Sequence, residues 1–241
     1  MKYSNQQIIA HRGASGLVKF ENTIEAFQKA IDVKADAVEL DVRKTKDGVI
    51  IVVHDELFQD RRISEWNYDE LCAKTKELGY VIPTLEDTVS FLKGKIFVDV
   101  EVKEQGYTQE IIDIILRYLT PQEFYIRSFK DKVLIEVKKI NKNIKTVLLL
   151  GLEHPKFPLL TRLSELFPLF RVIKTKCDMV SPHYLLVRFG YRQRLHLIGR
   201  PVLVWTVDDE KLMRKLLVRK KIDAIITNYP DKGLEILKSQ Q

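Results

Sequence analysis

An eight-stranded α/β barrel, a (β/α)8 fold, is the architecture that the sequence predicts. Short runs of β-branched and apolar residues recur along the 241 residues, and an amphipathic stretch follows each run. This alternation indicates a parallel sheet covered by helices, and eight strands favour closure into a barrel. An open, doubly wound sheet is the structural alternative. Because no linker or low-complexity tract divides the chain, we expect one domain over residues 1–241.

The predicted barrel strands are short and rich in residues that favour extended backbone. They span residues 7–11, 37–42, 96–102, 123–128, 146–150, 178–182, 201–206 and 223–227. The predicted helices span residues 22–33, 84–93, 108–119, 130–140, 159–167, 184–196, 208–220 and 230–238.

Two stretches interrupt the alternation. Residues 49–54 follow the second strand too closely for a helical crossover, and Asp47-Gly48 is a hairpin dipeptide. We therefore predict an extra strand that folds back on the second strand and places residue 54 opposite residue 39. The small insertion near 55–83, with a helical piece near 68–77, is expected to shape the mouth of the barrel.

Composition narrows the possible functions. The net charge of +7 is weak support for an anionic substrate, and no basic cluster resembles a nucleic-acid-binding motif. Cys72 and Cys177 lie far apart and predict two reduced thiols rather than a metal site. No apolar run is long enough for a transmembrane segment, and the N-terminus lacks the apolar region of a signal peptide. We therefore expect a cytoplasmic protein.

Acidic residues occupy the inward faces of two predicted strands. Glu39 and Asp41 are two residues apart, and Asp99, Glu101 and Lys103 alternate with valines. Side chains two apart on a strand share a face, and a buried parallel strand is normally almost wholly apolar. Burying like charges without a cation is costly. A divalent metal with oxygen ligands explains the pattern better than a structural Lys–Glu pair does.

Two histidines close predicted strands. His11 is followed by Arg12, whose guanidinium suits phosphate, and by Gly13, which permits a sharp turn. His54 closes the extra strand. Strand ends are where barrel enzymes place catalytic groups, and imidazoles titrate near neutral pH. The two histidines are therefore candidates for the general acid and the general base.

A series of short motifs runs in order along nearly the whole chain. The first are HRG at 11–13, ENT at 21–23, ELD at 39–41, TKDG at 45–48 and HD at 54–55. The later ones are IPTLED at 82–87, VDVEVK at 98–103, IRSF at 126–129, VSP at 180–182, VWTVDD at 204–209 and DAIITNYPD at 223–231. As an ordered set, they resemble the glycerophosphodiester phosphodiesterase family.

The resemblance implies a TIM barrel that hydrolyses a small-molecule glycerophosphodiester to sn-glycerol 3-phosphate and an alcohol, an activity of lipid and glycerol metabolism. It implies a divalent cation, Mg²⁺ or Ca²⁺. It places Glu39, Asp41 and Glu101 at the family's metal positions and His11 and His54 at its acid–base positions. Arg12 and Lys103 match its phosphate contacts, and Trp205 matches an aromatic residue that packs on glycerol. Glu21 and Asn22 match the ENT element and support the site, with Glu21 expected to orient Arg12 or a ligand.

The chain departs from the family pattern at several positions. Phe20 replaces a proline before ENT, and Asp99 and Asp208 each stand where asparagine is common. Asp99 is expected to lie beneath the metal and to add negative charge there. The segment 56–66 (ELFQDRRISEW) replaces a stretch rich in arginine and threonine, so it bears on the choice of alcohol.

Four other functions remain open at this stage. The first is phospholipase D-like hydrolysis of lysophospholipids on the same barrel, for which 152–170 and 55–66 are apolar enough to form a membrane-facing mouth. The others are a non-catalytic phosphate-binding protein, a nucleic-acid binder suggested only by net charge, and a Schiff-base aldolase using Lys103. The sequence leaves the alcohol, the choice of cation and the oligomeric state open.

Overall fold

The computed structural model describes residues 6–151 and 158–240. Its strands are β1 (Gln7–Ala10), β2 (Ala37–Lys44), β3 (Ile50–Val52), β4 (Leu57–Phe58), β5 (Arg61–Arg62), β6 (Phe97–Val102), β7 (Phe124–Ser128), β8 (Lys145–Leu150), β9 (Met179–Pro182), β10 (Leu203–Val204) and β11 (Ala224–Thr227). Its helices are α1 (Ile24–Asp32), α2 (Tyr68–Glu77), α3 (Leu85–Leu92), α4 (Thr108–Leu116), α5 (Asp131–Ile140), α6 (Pro158–Leu166), α7 (Leu169–Thr175), α8 (Tyr191–Leu197), α9 (Glu210–Arg214) and α10 (Pro230–Lys238).

Eight parallel strands form the barrel. Their spatial order is β10-β11-β1-β2-β6-β7-β8-β9, and parallel bridges Val180↔Val202 and His183↔Trp205 join the two ends of this series. The Trp205 amide also donates a hydrogen bond of 3.2 Å to the Pro182 carbonyl. The fold is therefore the predicted (β/α)8 TIM barrel, and the open sheet is excluded. None of the helices in the described residues has the length and hydropathy that a membrane span requires.

The predicted extra strand is present as β3, antiparallel to β2, but its register differs by one residue from the expectation. Val42 pairs with Val52, which aligns position 54 with position 40 rather than with Glu39. Thr45 N donates to the Val49 carbonyl at 2.9 Å, so the loop itself is the three residues 46–48, and Gly48 at its end has a φ of +87°. Regular pairing stops at Val52, so His54 lies beyond the strand.

The segments between strands hold elements that periodicity did not predict. The insertion after β3 contains the β4–β5 hairpin before the predicted α2. The predicted helix 184–196 is a 3₁₀ turn at Tyr184–Leu186 followed by α8, and α7 was not predicted at all. The apolar stretch 152–170 falls partly outside the described residues, which resume at 158.

The barrel interior is divided into an apolar layer and a polar layer. The lower layer is a cluster of inward side chains that includes Ile9, Tyr125, Val147, Leu203 and Ile226. Above it, Asp99 and Arg127 are almost fully buried and form an ion pair, with Arg127 Nε 2.6 Å from Asp99 Oδ1. Burial raises the pKa of Asp99 to about 7, although the charge of Arg127 opposes the rise. The negative charge that Asp99 was expected to add is therefore balanced by Arg127, which the sequence did not indicate as a site residue.

Gly13 is a position where only glycine fits. Its φ is +82°, and a Cβ there would lie 2.6 Å from the Ala26 carbonyl carbon. We expect Gly13→Ala to lower the free energy of unfolding by about 3 kcal/mol, because left-handed strain and overpacking add. Gly94→Ala is the matched control, with a φ of +70° and nothing within 4 Å. It should lose only about 1 kcal/mol in urea unfolding. Equal losses would contradict the steric explanation.

Arg127→Met should destabilise the barrel by about 3–5 kcal/mol, because it leaves Asp99 buried without a cation. The loss should be larger at pH 8 than at pH 5. Without the charge of Arg127, which opposes the rise, burial would raise the pKa of Asp99 above its wild-type value of about 7. The folded variant then binds, up to a higher pH than the wild type, a proton that the unfolded chain releases above about pH 4, so its stability falls further as pH rises. Urea unfolding at both pH values measures the effect.

Asp99→Leu combined with Arg127→Met is the control for that experiment. It removes both charges, so it should recover most of the stability and lose the pH dependence. A single variant with the same small loss at both pH values would show that the ion pair does not organise the interior.

Candidate active site

A pocket of about 430 Å³ opens at the end of the barrel where the parallel strands terminate. Its wall includes His11 and Arg12, which follow β1, and His54, which follows β3. It also includes Glu39 from within β2 and Glu101 from near the end of β6. Lys103 and Trp205 also line it. Asp41 lies beside them, almost fully buried. The residues that the sequence singled out on separate strands therefore meet at one rim.

Three carboxylates converge beneath the pocket. β2 and β6 pair with Asp41 opposite Glu101 and Glu39 opposite Asp99, so the acids of both strands lie side by side. Oxygen atoms of Glu39, Asp41 and Glu101 all lie within 4.8 Å of one another, and all three residues are buried. Burial raises the pKa of Glu39 well above its usual range, and the charge of Asp41 adds to the rise. Such crowding of anionic oxygens suits a divalent cation.

Glu39 provides a direct test of whether a cation fits. Its Oε2 accepts the Arg12 amide hydrogen at 2.9 Å. Its Oε1 is buried and has no hydrogen-bond partner among residues 6–151 and 158–240. A buried carboxylate oxygen without a donor is costly unless another positive group meets it. The donor set and this unpaired oxygen both fit a metal ion.

Two cationic side chains border the acids. Lys103 Nζ lies 2.6 Å from Glu101 Oε1 and 2.8 Å from Asp41 Oδ1. Burial disfavours the Lys103 ammonium, but Glu101 and Asp41 outweigh it and raise the pKa of Lys103. Burial likewise opposes the ionisation of Asp41, but Lys103 and Arg12 lower the pKa of Asp41. Lys103 and Asp41 are therefore both charged. Lys103 and Arg12 line the pocket where an anionic ligand would enter.

The ENT segment holds these groups in place. Arg12 Nη1 donates to Glu21 Oε1 at 2.7 Å, which fixes the guanidinium at the pocket wall. Asn22 Nδ2 donates to Asp41 Oδ2 at 2.9 Å, so Asn22 orients a carboxylate of the cluster. Arg12 and Asn22 both have positive φ values, +52° and +54°. Glu21 thus contacts Arg12 as expected, whereas Asn22 supports Asp41.

His11 is partly buried and has one defined hydrogen bond. Its Nδ1 lies 2.7 Å from Asn228 Oδ1. The Asn228 amide is oriented by Asp208, whose Oδ2 accepts from Asn228 Nδ2 at 2.7 Å. Because an amide oxygen only accepts, His11 Nδ1 carries the proton and Nε2 keeps its lone pair. Burial lowers the pKa of His11 to about 3, helped by the charge of Arg12. His11 is therefore a neutral imidazole with an accepting Nε2.

Sequence reasoning missed this role of Asn228. Asn228 follows β11 within the motif DAIITNYPD, and polar residues at that strand end are a usable signal. Asp208 was noted only as a departure from the family pattern, yet it is the acceptor that orients the Asn228 side chain. Together, Asp208 and Asn228 set the tautomer of His11.

His54 has a different environment from His11. Its side chain is 33% exposed, and its Nδ1 lies 2.8 Å from Asp55 Oδ1. The His54 carbonyl accepts a hydrogen bond of 2.9 Å from Arg43 Nε, which ties the residue to β2. The two predicted histidines thus reach the same pocket with unequal electrostatic surroundings.

An aromatic wall closes the side of the pocket opposite β2. Trp205 Nε1 donates to the Ser181 carbonyl at 2.9 Å, which fixes the indole. Phe129 packs edge-on against this ring, with centroids 5.6 Å apart, and also lines the pocket. Phe129 was not predicted as a site residue, although it ends the IRSF motif. The wall offers apolar contact to carbon atoms of a ligand.

A second cleft, of about 560 Å³, adjoins the pocket through Glu101, Lys103 and Phe129. The segment 56–66 supplies Glu56, Arg62 and Ser64 to its wall. The altered segment therefore borders the site, as the sequence predicted, without contributing to the carboxylate cluster.

Comparisons with known proteins agree with this geometry. The model of the Glycerophosphoryl diester phosphodiesterase family matches residues 11–232. A glycerophosphodiester phosphodiesterase from Caldanaerobacter subterraneus is 29% identical, with 96% of this chain and 97% of that protein covered. A phosphodiesterase from Oleispira antarctica, solved with its product sn-glycerol-3-phosphate, has a TM-score of 0.81 at 22% identity, with 96% of each chain covered.

A lysophospholipase D from Rattus norvegicus is a more distant relative, 23% identical, with 96% of this chain and 86% of that protein covered. The family model matches far more than half of the chain, and the relatives align over most of their own length. The chain therefore belongs to the glycerophosphoryl diester phosphodiesterase family and is a phosphoric diester hydrolase.

Proposed function

We propose that the chain hydrolyses glycerophosphodiesters to sn-glycerol 3-phosphate and an alcohol with the help of a divalent cation. The observation that carries the proposal is the buried group of Glu39, Asp41 and Glu101, with oxygens within 4.8 Å of one another, at the rim that also holds two histidines. The product found in the Oleispira antarctica structure supports glycerol phosphate as the product class.

The charges of the site also favour this substrate. Four carboxylates and three cationic side chains lie together there: Glu39, Asp41, Asp99 and Glu101 against Arg12, Lys103 and Arg127. If all are ionised, one negative charge remains unbalanced. A divalent cation and a singly charged phosphodiester together add one positive charge. The cation would thus offset the excess negative charge, to which Glu21 beside Arg12 also contributes, and would lower the cost of burying so many ions.

Glu39, Asp41 and Glu101 would hold Mg²⁺ or Ca²⁺ through carboxylate oxygens, as hard cations prefer. A cation there supplies Lewis-acid stabilisation of charge on a phosphoryl oxygen. Arg12 and Lys103 would take the remaining anionic oxygens through charge-assisted hydrogen bonds. Trp205 and Phe129 would pack against the glycerol carbons.

The two histidines divide the proton transfers. His11 accepts the proton of the attacking oxygen at Nε2, because burial keeps its imidazole neutral and Asn228 holds its other nitrogen. His54 donates a proton to the leaving alcohol, with Asp55 beside Nδ1 to offset the positive charge. The attacking oxygen is water or the glycerol 2-hydroxyl, which would give a cyclic phosphate first.

The leaving alcohol would occupy the cleft that segment 56–66 borders. Polar side chains of that cleft, including Arg62 and Glu56, favour a polar head group. Hydrolysis of lysophospholipids is the second candidate, favoured by exposed apolar side chains on α6 and α7. Comparing turnover of glycerophosphocholine and lysophosphatidylcholine separates the two. Both cysteines are free, which suits the reducing cytoplasm that we propose as the location.

His11→Ala and His54→Ala should each lower kcat/KM by about 10²–10⁴-fold, because each variant lacks one proton-transfer group. Circular dichroism should show an unchanged fold. His196→Ala is the matched control, since His196 has the same 33% exposure as His54 and contacts a carboxylate, Asp223. It should retain activity. Wild-type turnover in either site variant would refute the assignment of roles.

Removal of divalent metal should abolish release of sn-glycerol 3-phosphate from a panel of glycerophosphodiesters. Mg²⁺ or Ca²⁺ should restore it in the wild type but not in Glu39→Gln, which loses one anionic ligand. The cation should also raise the Tm of the wild type, because a ligand that binds only the folded state stabilises it. Full activity in excess chelator would eliminate the metal-dependent mechanism.

A further inference from the structure

The outer face of α6 and α7 is apolar and exposed. It consists of Leu159, Leu160, Leu163, Phe167, Phe170 and Ile173. Leu160 and Leu163 lie three apart on α6, as do Phe170 and Ile173 on α7, so each helix presents an apolar side. Phe170 is 76% exposed and Leu159 is 75% exposed, whereas Val172 and Thr175 on the inner face are buried. Both sides of these helices thus carry apolar groups, and only one side packs on the barrel.

The apolar surface continues onto α8. Arg194 lies over the Phe167 ring, 4.6 Å from its centroid, so α8 stands next to the outer face. Phe189 and Leu197, before and at the end of α8, are 88% and 87% exposed. Scattered apolar side chains are ordinary on protein surfaces, but contiguous large ones indicate a binding surface.

Positive charge surrounds this surface. Residues 158–200 contain eight lysines and arginines but only two acidic residues, a net of +6 out of +7 for the whole chain. Four of these cations are paired with carboxylates: Arg162 with Glu165, Arg171 and Lys174 with Asp131, and Arg192 with Asp223. The other four, Lys176, Arg188, Arg194 and Arg200, form no ion pair among the described residues, and Asp178 is held instead by Lys138 and Lys145. Lys176 and Arg188 are both exposed.

We propose that the outer face of α6 and α7, with the adjoining part of α8, docks on the surface of an anionic lipid bilayer. Apolar side chains would enter the boundary between head groups and acyl chains, and the surrounding cations would meet lipid phosphates. A second copy of the chain is disfavoured, because it would bring the four cations without an ion pair on each copy close to those of the other. A nucleic acid would need the cations but not exposed leucines and phenylalanines.

Docking would place the substrate pocket beside the bilayer. Gly151 lines the pocket, and its amide donates to Glu165 Oε1 of α6 at 2.8 Å. The outer face is therefore attached directly to the pocket rim. The proposal concerns binding and stands independently of the proposed hydrolysis, so lipid binding is measured without substrate.

The test is co-sedimentation of the full chain with vesicles of phosphatidylglycerol and phosphatidylcholine in equal parts, and with phosphatidylcholine alone. The wild type should bind the anionic vesicles and bind less to the neutral ones. Leu160→Asp with Phe170→Asp should weaken binding at least about tenfold, because it removes apolar contact and adds negative charge. Lys176→Gln and Arg188→Gln should each weaken it about fivefold.

Matched variants elsewhere control for altered charge and exposure. Leu78→Asp with Leu116→Asp changes two leucines that are 49% and 38% exposed away from α6 and α7, and should bind like the wild type. Lys142→Gln, at another exposed lysine, should change binding little. Thermal unfolding followed by circular dichroism verifies that each variant is folded.

Three outcomes would overturn the proposal. One is failure of the wild type to bind anionic vesicles. Another is equal vesicle binding by the wild type and by Leu160→Asp with Phe170→Asp. A purely electrostatic surface would give that result and would also bind a DNA duplex. The third is a dimer in sedimentation velocity that the same variant dissociates, without lipid binding, since a second copy would then be the occupant.

Discussion

The burial of four carboxylates on two neighbouring strands is the constraint around which the site is arranged. β2 and β6 pair so that Glu39 lies opposite Asp99 and Asp41 opposite Glu101. Uncompensated, such a group would not stay ionised inside a barrel. The neighbouring elements supply the compensation: β7 brings Arg127 to Asp99, and Lys103 reaches Asp41 and Glu101. Glu39 Oε1, which is buried and accepts no hydrogen bond from the described residues, is then suited to a cation.

Unequal surroundings give two identical side chain types different properties. Asp208 orients the Asn228 amide that contacts His11, so the charge of Asp208 reaches the imidazole only through a neutral group. His54 instead has the carboxylate of Asp55 directly at Nδ1 and a solvent-exposed side chain. Environments that separate the proton affinities of two groups commonly distinguish an acid from a base. The same reasoning explains why His11 needs an orienting amide, since a buried neutral imidazole has two tautomers.

The sequence predicted the features that local chemistry determines. Alternation on β6 placed Asp99, Glu101 and Lys103 on one face, and apolar periodicity located the eight strands and α2. The sequence did not predict the roles that depend on contact with a residue distant in the chain. Arg127 is an ordinary residue of an apolar strand until Asp99 is known to lie beside it, and Asn228 gains its role only from His11 and Asp208. The hairpin register differed by one because the loop has three residues, a choice that Asp47-Gly48 does not specify.

The helices around the barrel also differ in whether packing explains all of their apolar residues. α10 turns Gly233 against Ile8 of β1, where a Cβ would lie 2.9 Å from the Ile8 side chain, and its pattern serves packing alone. Packing does not explain the apolar outer side of α6 and α7, because Val172 and Thr175 already cover the barrel from the inner side. Outward leucines and phenylalanines add nothing to folding stability while they face water. The cations beside them would repel a second copy. An anionic lipid bilayer is the surface that matches both the apolar side chains and the cations.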